Sequence, residues 1–143
     1  DRTGNTLFHS LVKPVHPVPD DSTATRIHGI TNEELVNAPA LAEIASDVFA
    51  ILDGKLILAY NAAFDESMLK NSCLRNGIEY PEGFEWDCVM EAYRLTQASE
   101  RWVSLEKASG IWTSHRAIED CISTLRVIRS QWSEIGILVN ESA

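Results

Sequence analysis

The segment that most constrains the fold is Lys55 to Tyr60 (KLILAY), a short apolar run set between two helical patterns. A run this short and this uniformly apolar reads as a strand buried on both faces. Upstream of it, Leu41, Ile44, Ala45, Val48, Ile51 and Leu52 recur at helical spacing. Pro39 suits the first turn of that helix, and Asp53-Gly54 ends it. Downstream, a helix is expected from Phe64 to Asn76, with Gly77 closing it. A buried strand passing straight into a helix places the chain in the α/β class.

The remaining elements follow from punctuation. Thr3-Gly4-Asn5 reads as a tight turn, and Thr6 to Lys13 as the strand after it. A hairpin turn needs a strand on each side, and the incoming arm is missing here. Pro14, Pro17 and Pro19 mark an extended, non-helical connection to about Thr25. Thr31 with Glu34 forms a capping-box pattern that opens a short helix from Asn32 to Val36. After Pro81 and Gly83 a short strand is expected at Phe84 to Asp87, then helices at Val89 to Gln97 and Ser104 to Ser109. The last helix runs from Arg116 to Ser133. Its apolar stripe is Ile118, Cys121, Ile122, Leu125, Ile128 and Trp132. The tail after Gly136 adds a short apolar segment or packs down. There is no internal repeat and no linker, so residues 1–143 read as one domain.

Charge and cysteine content exclude some functions. Twelve basic against twenty-one acidic residues leave a formal net charge of −9. That argues against holding nucleic acid by broad electrostatic attraction. It leaves open an enzyme that meets phosphate through bound metal ions, which can be the largest charges in a site. Cys73, Cys88 and Cys121 are odd in number and match no zinc spacing. They read as reduced thiols of a cytoplasmic protein, with Cys121 in the core. No apolar run is long enough for a membrane span, and the start does not resemble a signal peptide.

Several residues carry candidate chemistry. Asp65 lies in the turn after the buried strand, at the sheet edge where open α/β proteins place ligands. A carboxylate there can bind a hard cation such as Mg²⁺. It can equally cap or charge the start of the following helix, the commoner use of such a residue. Phe64 reads as core, or as an aromatic that packs on a terminal base, with Asn61 bonding the nucleotide. His115 and Asp120 are five residues apart, about 140° around an ideal helix. His115 is therefore expected just before the helix and Asp120 in its second turn. By periodicity alone Asp120 and Glu119 are solvated, and His115 is a surface histidine. His28-Gly29-Ile30 reads as a loop whose glycine permits a positive φ. His9 and His16 attract no functional reading. Trp86, Trp102, Trp112 and Trp132 read as packing residues, and Asp20-Asp21 and Glu33-Glu34 as solvated acids.

Three stretches are more specific together than apart: His28-Gly29-Ile30-Thr31, then Asn61-Ala62-Ala63-Phe64-Asp65, then His115-Arg116-Ala117-Ile118-Glu119-Asp120. In this order they resemble the DEDDh family of metal-dependent 3′–5′ exonucleases, the family of polymerase proofreading subunits. The resemblance runs from Thr3 to about Trp132. It implies a ribonuclease H-like fold, a mixed β-sheet flanked by helices. It also implies Asp65 and Asp120 as metal ligands, His115 as the general base, and His28, Asn61 and Phe64 around the 3′-terminal nucleotide. The implied cofactor is a pair of Mg²⁺ or Mn²⁺ ions, about 3.5–4 Å apart in sites of this type. The implied partner is a single-stranded 3′ end of DNA or RNA, with a polymerase or other protein as a further partner. Tyr60 stands where histidine often precedes the asparagine, and can still donate a hydrogen bond. Asp87 is expected to bond backbone near the sheet.

The family pattern opens with a strand carrying Asp-x-Glu, and none occurs before His28. The expectation is a fragment that lacks its first strand, is inactive by itself, and has an unpaired sheet edge and an exposed apolar face. The competing expectation is a non-catalytic nucleic-acid-binding or assembly module on the same fold. A weaker third is a hydrolase of small phosphodiesters.

Overall fold

The computed structural model describes residues 1–19, 21–112 and 115–134. The expectations for Asp20 and for the tail after Gly136 lie outside the described residues, as does the side chain of Trp132. Seven helices and two strands are formed among the described residues: α1 (Thr23–His28), α2 (Asn32–Leu35), α3 (Leu41–Leu52), β1 (Leu56–Ala59), α4 (Ala62–Arg75), β2 (Glu85–Cys88), α5 (Val89–Thr96), α6 (Leu105–Ser109) and α7 (Ala117–Glu134).

The KLILAY run forms β1, which pairs in parallel with β2 and is joined to it through α4. Leu58 sits opposite Asp87 and Ile57 opposite Trp86. Side chains alternate across a sheet, so these two pairs face opposite layers. Leu58 and Tyr60 pack on Val89, Val127 and Ile128, together with Tyr93, Leu105 and Ala108. Against the other face, Leu41, Ala45 and Cys73 form a second cluster with Ile44, Phe49, Leu69, Ile78 and Tyr80. Phe84 meets Phe49 and Tyr80 edge to face at ring-centroid distances of 5.8 and 5.5 Å, a favoured geometry for aromatic pairs. Trp86 donates its indole N–H to Tyr80 Oη at 3.0 Å. The result is α/β, a sheet with helices on both faces, of the ribonuclease H-like type.

Caps form where the residues call for them. Thr31 accepts from the Glu34 N–H, and Glu34 Oε2 accepts from the Thr31 N–H at 2.9 Å, completing the capping box of α2. Glu43 reaches back to the Ala40 N–H at 2.7 Å, so α3 starts after Pro39 rather than on it.

Four expectations are corrected. Thr6 to Lys13 forms no strand; its only pairing is one parallel bridge between Lys13 and Ala40. A strand needs a ladder partner, and alternation in the sequence cannot supply one. The proline-rich connection ends early, because Ser22 caps α1 at Thr23 and Gly29 closes it with φ +66°. Trp102 and Trp112 are 62% and 78% exposed, so neither is a core residue, and Trp102 instead lies under the Arg94 guanidinium at 5.5 Å. The fourth concerns α7, where the buried residues are Ser123, Thr124, Val127 and Ile128, while Cys121 and Ile122 of the expected stripe are exposed. The helix packs on α5 and α6 through a face rotated from its most apolar one.

Candidate active site

Helix α4 begins at the carboxyl end of β1, with Asn61 in the capping position. It starts two residues earlier than the spacing predicts, which moves Asp65 past the cap into the first turn. Neither Asn61 nor any other side chain makes a capping bond there. Phe64 is 58% exposed rather than core, a costly position for an aromatic that only packs. The strand that delivers this turn is anchored by Tyr60, whose hydroxyl donates to the Val103 carbonyl at 2.6 Å. Burial first, then the neighbouring Tyr93 and Cys88, push that phenol up to about 12, so it stays protonated and a donor.

Helix α7 supplies the second carboxylate. Asp120 lies in its first turn, with its N–H bonded to the Arg116 carbonyl at 3.1 Å. The Asp120 carbonyl accepts from Thr124 Oγ1 at 2.7 Å. Asp120 belongs to the inward face with Ser123, Thr124 and Val127, not to a solvated one. Its Oδ1 is buried and is the one such side-chain atom without a hydrogen-bond partner among the described residues. A buried carboxylate oxygen left unpaired costs free energy on the order of 1–3 kcal/mol or more.

Asp65 and Asp120 are brought together. Although the Asp65 residue is largely open to solvent, surrounding protein raises its carboxyl above the ordinary range, and the negative charge of Asp120 raises it further. Although Cys121 is exposed as a residue, surrounding protein first and then the same two charges push its thiol up, while the amino terminus of Asp1 acts in the opposite sense. A carboxyl raised in part by a neighbouring negative charge, beside a carboxylate with an orphaned buried oxygen, suits a divalent cation. Among the described residues no group of three or more histidines, cysteines or acids gathers as a metal cage. Asp65 and Asp120 fit as part of a metal site, with further ligands required to complete it.

His115 stands just before α7, exposed, with φ +57°. A non-glycine residue in that region carries strain of order 1–3 kcal/mol, a cost that recurs at functional sites. His28 ends α1, half-buried, and its Nδ1 accepts the Ile30 N–H at 2.9 Å. In the neutral ring that leaves the proton on Nε2, as a donor. A cleft of about 550 Å³ runs along His28, Ile30, Arg116 and the start of α7, bounded by residues 9–12. Neither Asp65 nor Asp120 lines it. Asp87 is exposed and accepts the Cys88 N–H at 2.8 Å.

Two contacting residues escaped the sequence reading. Arg116 pairs with Glu34 at 3.2 Å and reaches the Gly29 carbonyl at 3.4 Å. They are 82 positions apart, and no periodicity links them.

Comparison with known proteins gives three kinds of likeness. The exonuclease family model RNase_T matches residues 1–128. An uncharacterized exonuclease of Escherichia phage 186 is 30% identical, covering 90% of this chain and 74% of that protein. The 3′-5′ exonuclease DinG of Staphylococcus saprophyticus is 30% identical over 85% of this chain, and the DNA polymerase III subunit epsilon of Pasteurella multocida 41% over 44%. This chain spans only 14% and 24% of those two proteins. Among solved structures, exonuclease X in complex with 5′ overhanging duplex DNA superimposes with a TM-score of 0.59 at 21% identity, covering 88% of this chain and 72% of that one.

Proposed function

Because the chain belongs to the exonuclease family, of the DEDDh type its motifs resemble, we propose that it serves a metal-dependent 3′–5′ exonuclease acting on single-stranded 3′ ends of DNA or RNA. Nucleoside monophosphates are the products. The observation that carries this reading is the Asp65–Asp120 pair with the orphaned Asp120 Oδ1. The first turns of α4 and α7 favour an acid at each position, but neither turn gives the buried Asp120 Oδ1 a partner.

Asp65 and Asp120 hold the cations, Mg²⁺ or Mn²⁺. When bound, these supply charge stabilisation for the attacking and leaving oxygens. His115, just before α7 and open to solvent, takes the proton from the attacking water, the role histidine most often fills in such chemistry. Phe64 offers its exposed ring to the terminal base, a contact worth about 1–3 kcal/mol per base in such sites. Asn61, at the same turn, bonds the nucleotide, and His28 donates from Nε2. Residues 1–143 are one exonuclease-like domain in this reading. Asp65 and Asp120 supply two carboxylates where the family pattern has four, so further ligands complete the metal site. The partner in this reading is a single-stranded 3′ end, with a polymerase or another protein as a further one, and the compartment is the cytoplasm.

The test is incubation of the full-length protein with 5′-labelled single-stranded DNA and RNA in Mg²⁺ or Mn²⁺. Shortening from the 3′ end, abolished by EDTA and by His115→Ala, is the expected result. A folded protein that shortens neither polymer sinks the reading and leaves a binding module on the same fold.

A further inference from the structure

We propose that Arg116 and Glu34 form a positioning clamp that fixes the His115 turn and the first turn of α7 against the His28-Gly29-Ile30 stretch. The inference rests on the exonuclease reading for its effect on rate, though not for its existence.

Four contacts meet at this pair. Arg116 Nη1 and Nη2 both donate to Glu34 Oε1, at 3.2 and 3.3 Å. Nη2 also reaches the Gly29 carbonyl at 3.4 Å. The other oxygen of Glu34 is held by the Thr31 N–H at 2.9 Å, so the carboxylate that receives Arg116 is itself fixed by the α2 capping box. On its other side, the Arg116 carbonyl accepts the N–H groups of Glu119 and Asp120 at 2.9 and 3.1 Å. Arg116 thus starts the helix turn that carries Asp120, and it directly follows His115 in its left-handed conformation. Holding the guanidinium holds both.

Stability is a poor explanation for the pair. The two side chains are 37% and 38% exposed, and exposed ion pairs contribute little to folding. Geometry is the better one. A guanidinium offers rigid, directed donors, which a lysine ammonium lacks, and here they join segments that nothing else among the described contacts of Arg116 and Glu34 connects. Misplacement of a catalytic group by about 1 Å can cost on the order of a hundredfold in rate.

The experiment compares Arg116→Gln, Glu34→Gln and the double variant in the full-length protein. Glutamine at position 34 keeps an acceptor for the Thr31 N–H while losing the charge that Arg116 needs. The expected result is a fall in kcat of about tenfold or more for each single variant, with KM changed by less than about threefold and the melting temperature nearly constant. The double variant is expected to be no slower than the slower single, because both remove one interaction. Unchanged kcat, multiplying losses, or a rate loss that follows the melting temperature overturns the clamp. Backbone NMR of Glu34→Gln provides a readout apart from activity. Amide shifts at residues 29–30 together with 115–116 support the clamp, and shifts confined to residues 31–35 overturn it. An unaltered protein that shortens no strand defeats the exonuclease reading alone, and the NMR result still decides the clamp.

Discussion

Asp65 and Asp120 lie in the first turns of α4 and α7, one with a raised carboxyl and the other with an orphaned buried oxygen. Asp65 has a raised carboxyl pKa, from burial and from Asp120, so the folded chain holds that proton more tightly than the unfolded one. The stability this contributes is complete below the ordinary value of 3.8 and is lost as pH rises through the higher folded value. Melting temperatures in EDTA, taken from about pH 4 to about pH 7, are therefore expected to fall more for the unaltered protein than for Asp65→Asn. Parallel curves would show that the Asp65 carboxyl is not raised in the folded chain. Phe64 makes a separate case. Its 58% exposure means that Phe64→Ala costs folding about 0.5 kcal/mol or less. The same change is expected to raise KM for single-stranded ends by about fivefold or more, as loss of a stacked base implies. An unaltered KM would return Phe64 to an incidental surface position.

At the scale of elements, α7 shows how a helix can present one face to composition and another to packing. Val127 is fully buried, whereas Ile122, in the more apolar stripe, is 58% exposed. Val127→Ala is expected to destabilise the fold by about 2 kcal/mol, from two lost methyl groups and the cavity they leave. Ile122→Ala is expected to stay within about 0.5 kcal/mol. Urea unfolding of the two variants checks this, and the reverse order would mean that the stripe, not the observed face, packs inward. The rotation matters for function because it carries Asp120 inward along with Val127. Elsewhere the local signals and the elements agree, since caps and turns are decided by neighbours: Thr31 with Glu34 starts α2, Ser104 accepts from the Lys107 N–H to start α6, and Gly110 ends it at φ +70°.

For the whole molecule, the parallel pair β1–β2 delivers α4 and its Asp65 to one end of the sheet, and α7 lays Asp120 against it. Leu56 is 57% exposed, and Leu7, Phe8, Val12 and Val15 are also open. A cation that Asp65 and Asp120 would hold binds the folded state and not the unfolded one. Its stabilisation follows RT ln(1 + [L]/Kd), about 2.7 kcal/mol at a hundredfold excess over Kd. Thermal unfolding in rising Mn²⁺ is expected to show this increase in the unaltered protein and to lose it in Asp120→Asn. Equal responses would place any bound cation away from the pair. Among the described residues no helix is long and apolar enough to cross a membrane.

The sequence by itself determined the α/β class, the order of most elements and the motif order that names the family. Those depend on contacts within a few residues, such as the run Leu56 to Ala59, the capping box at Thr31 and the spacing from Leu41 to Leu52. Tertiary structure alone decided which face of α7 is buried, whether Thr6 to Lys13 has a partner, and that Asp65 lies beside Asp120. It also decided that Arg116 reaches Glu34. Each of these is a meeting of groups remote in the chain. Periodicity ranks the faces of an element by apolarity, but burial goes to the face that its neighbours cover, and those neighbours are assembled only by the fold.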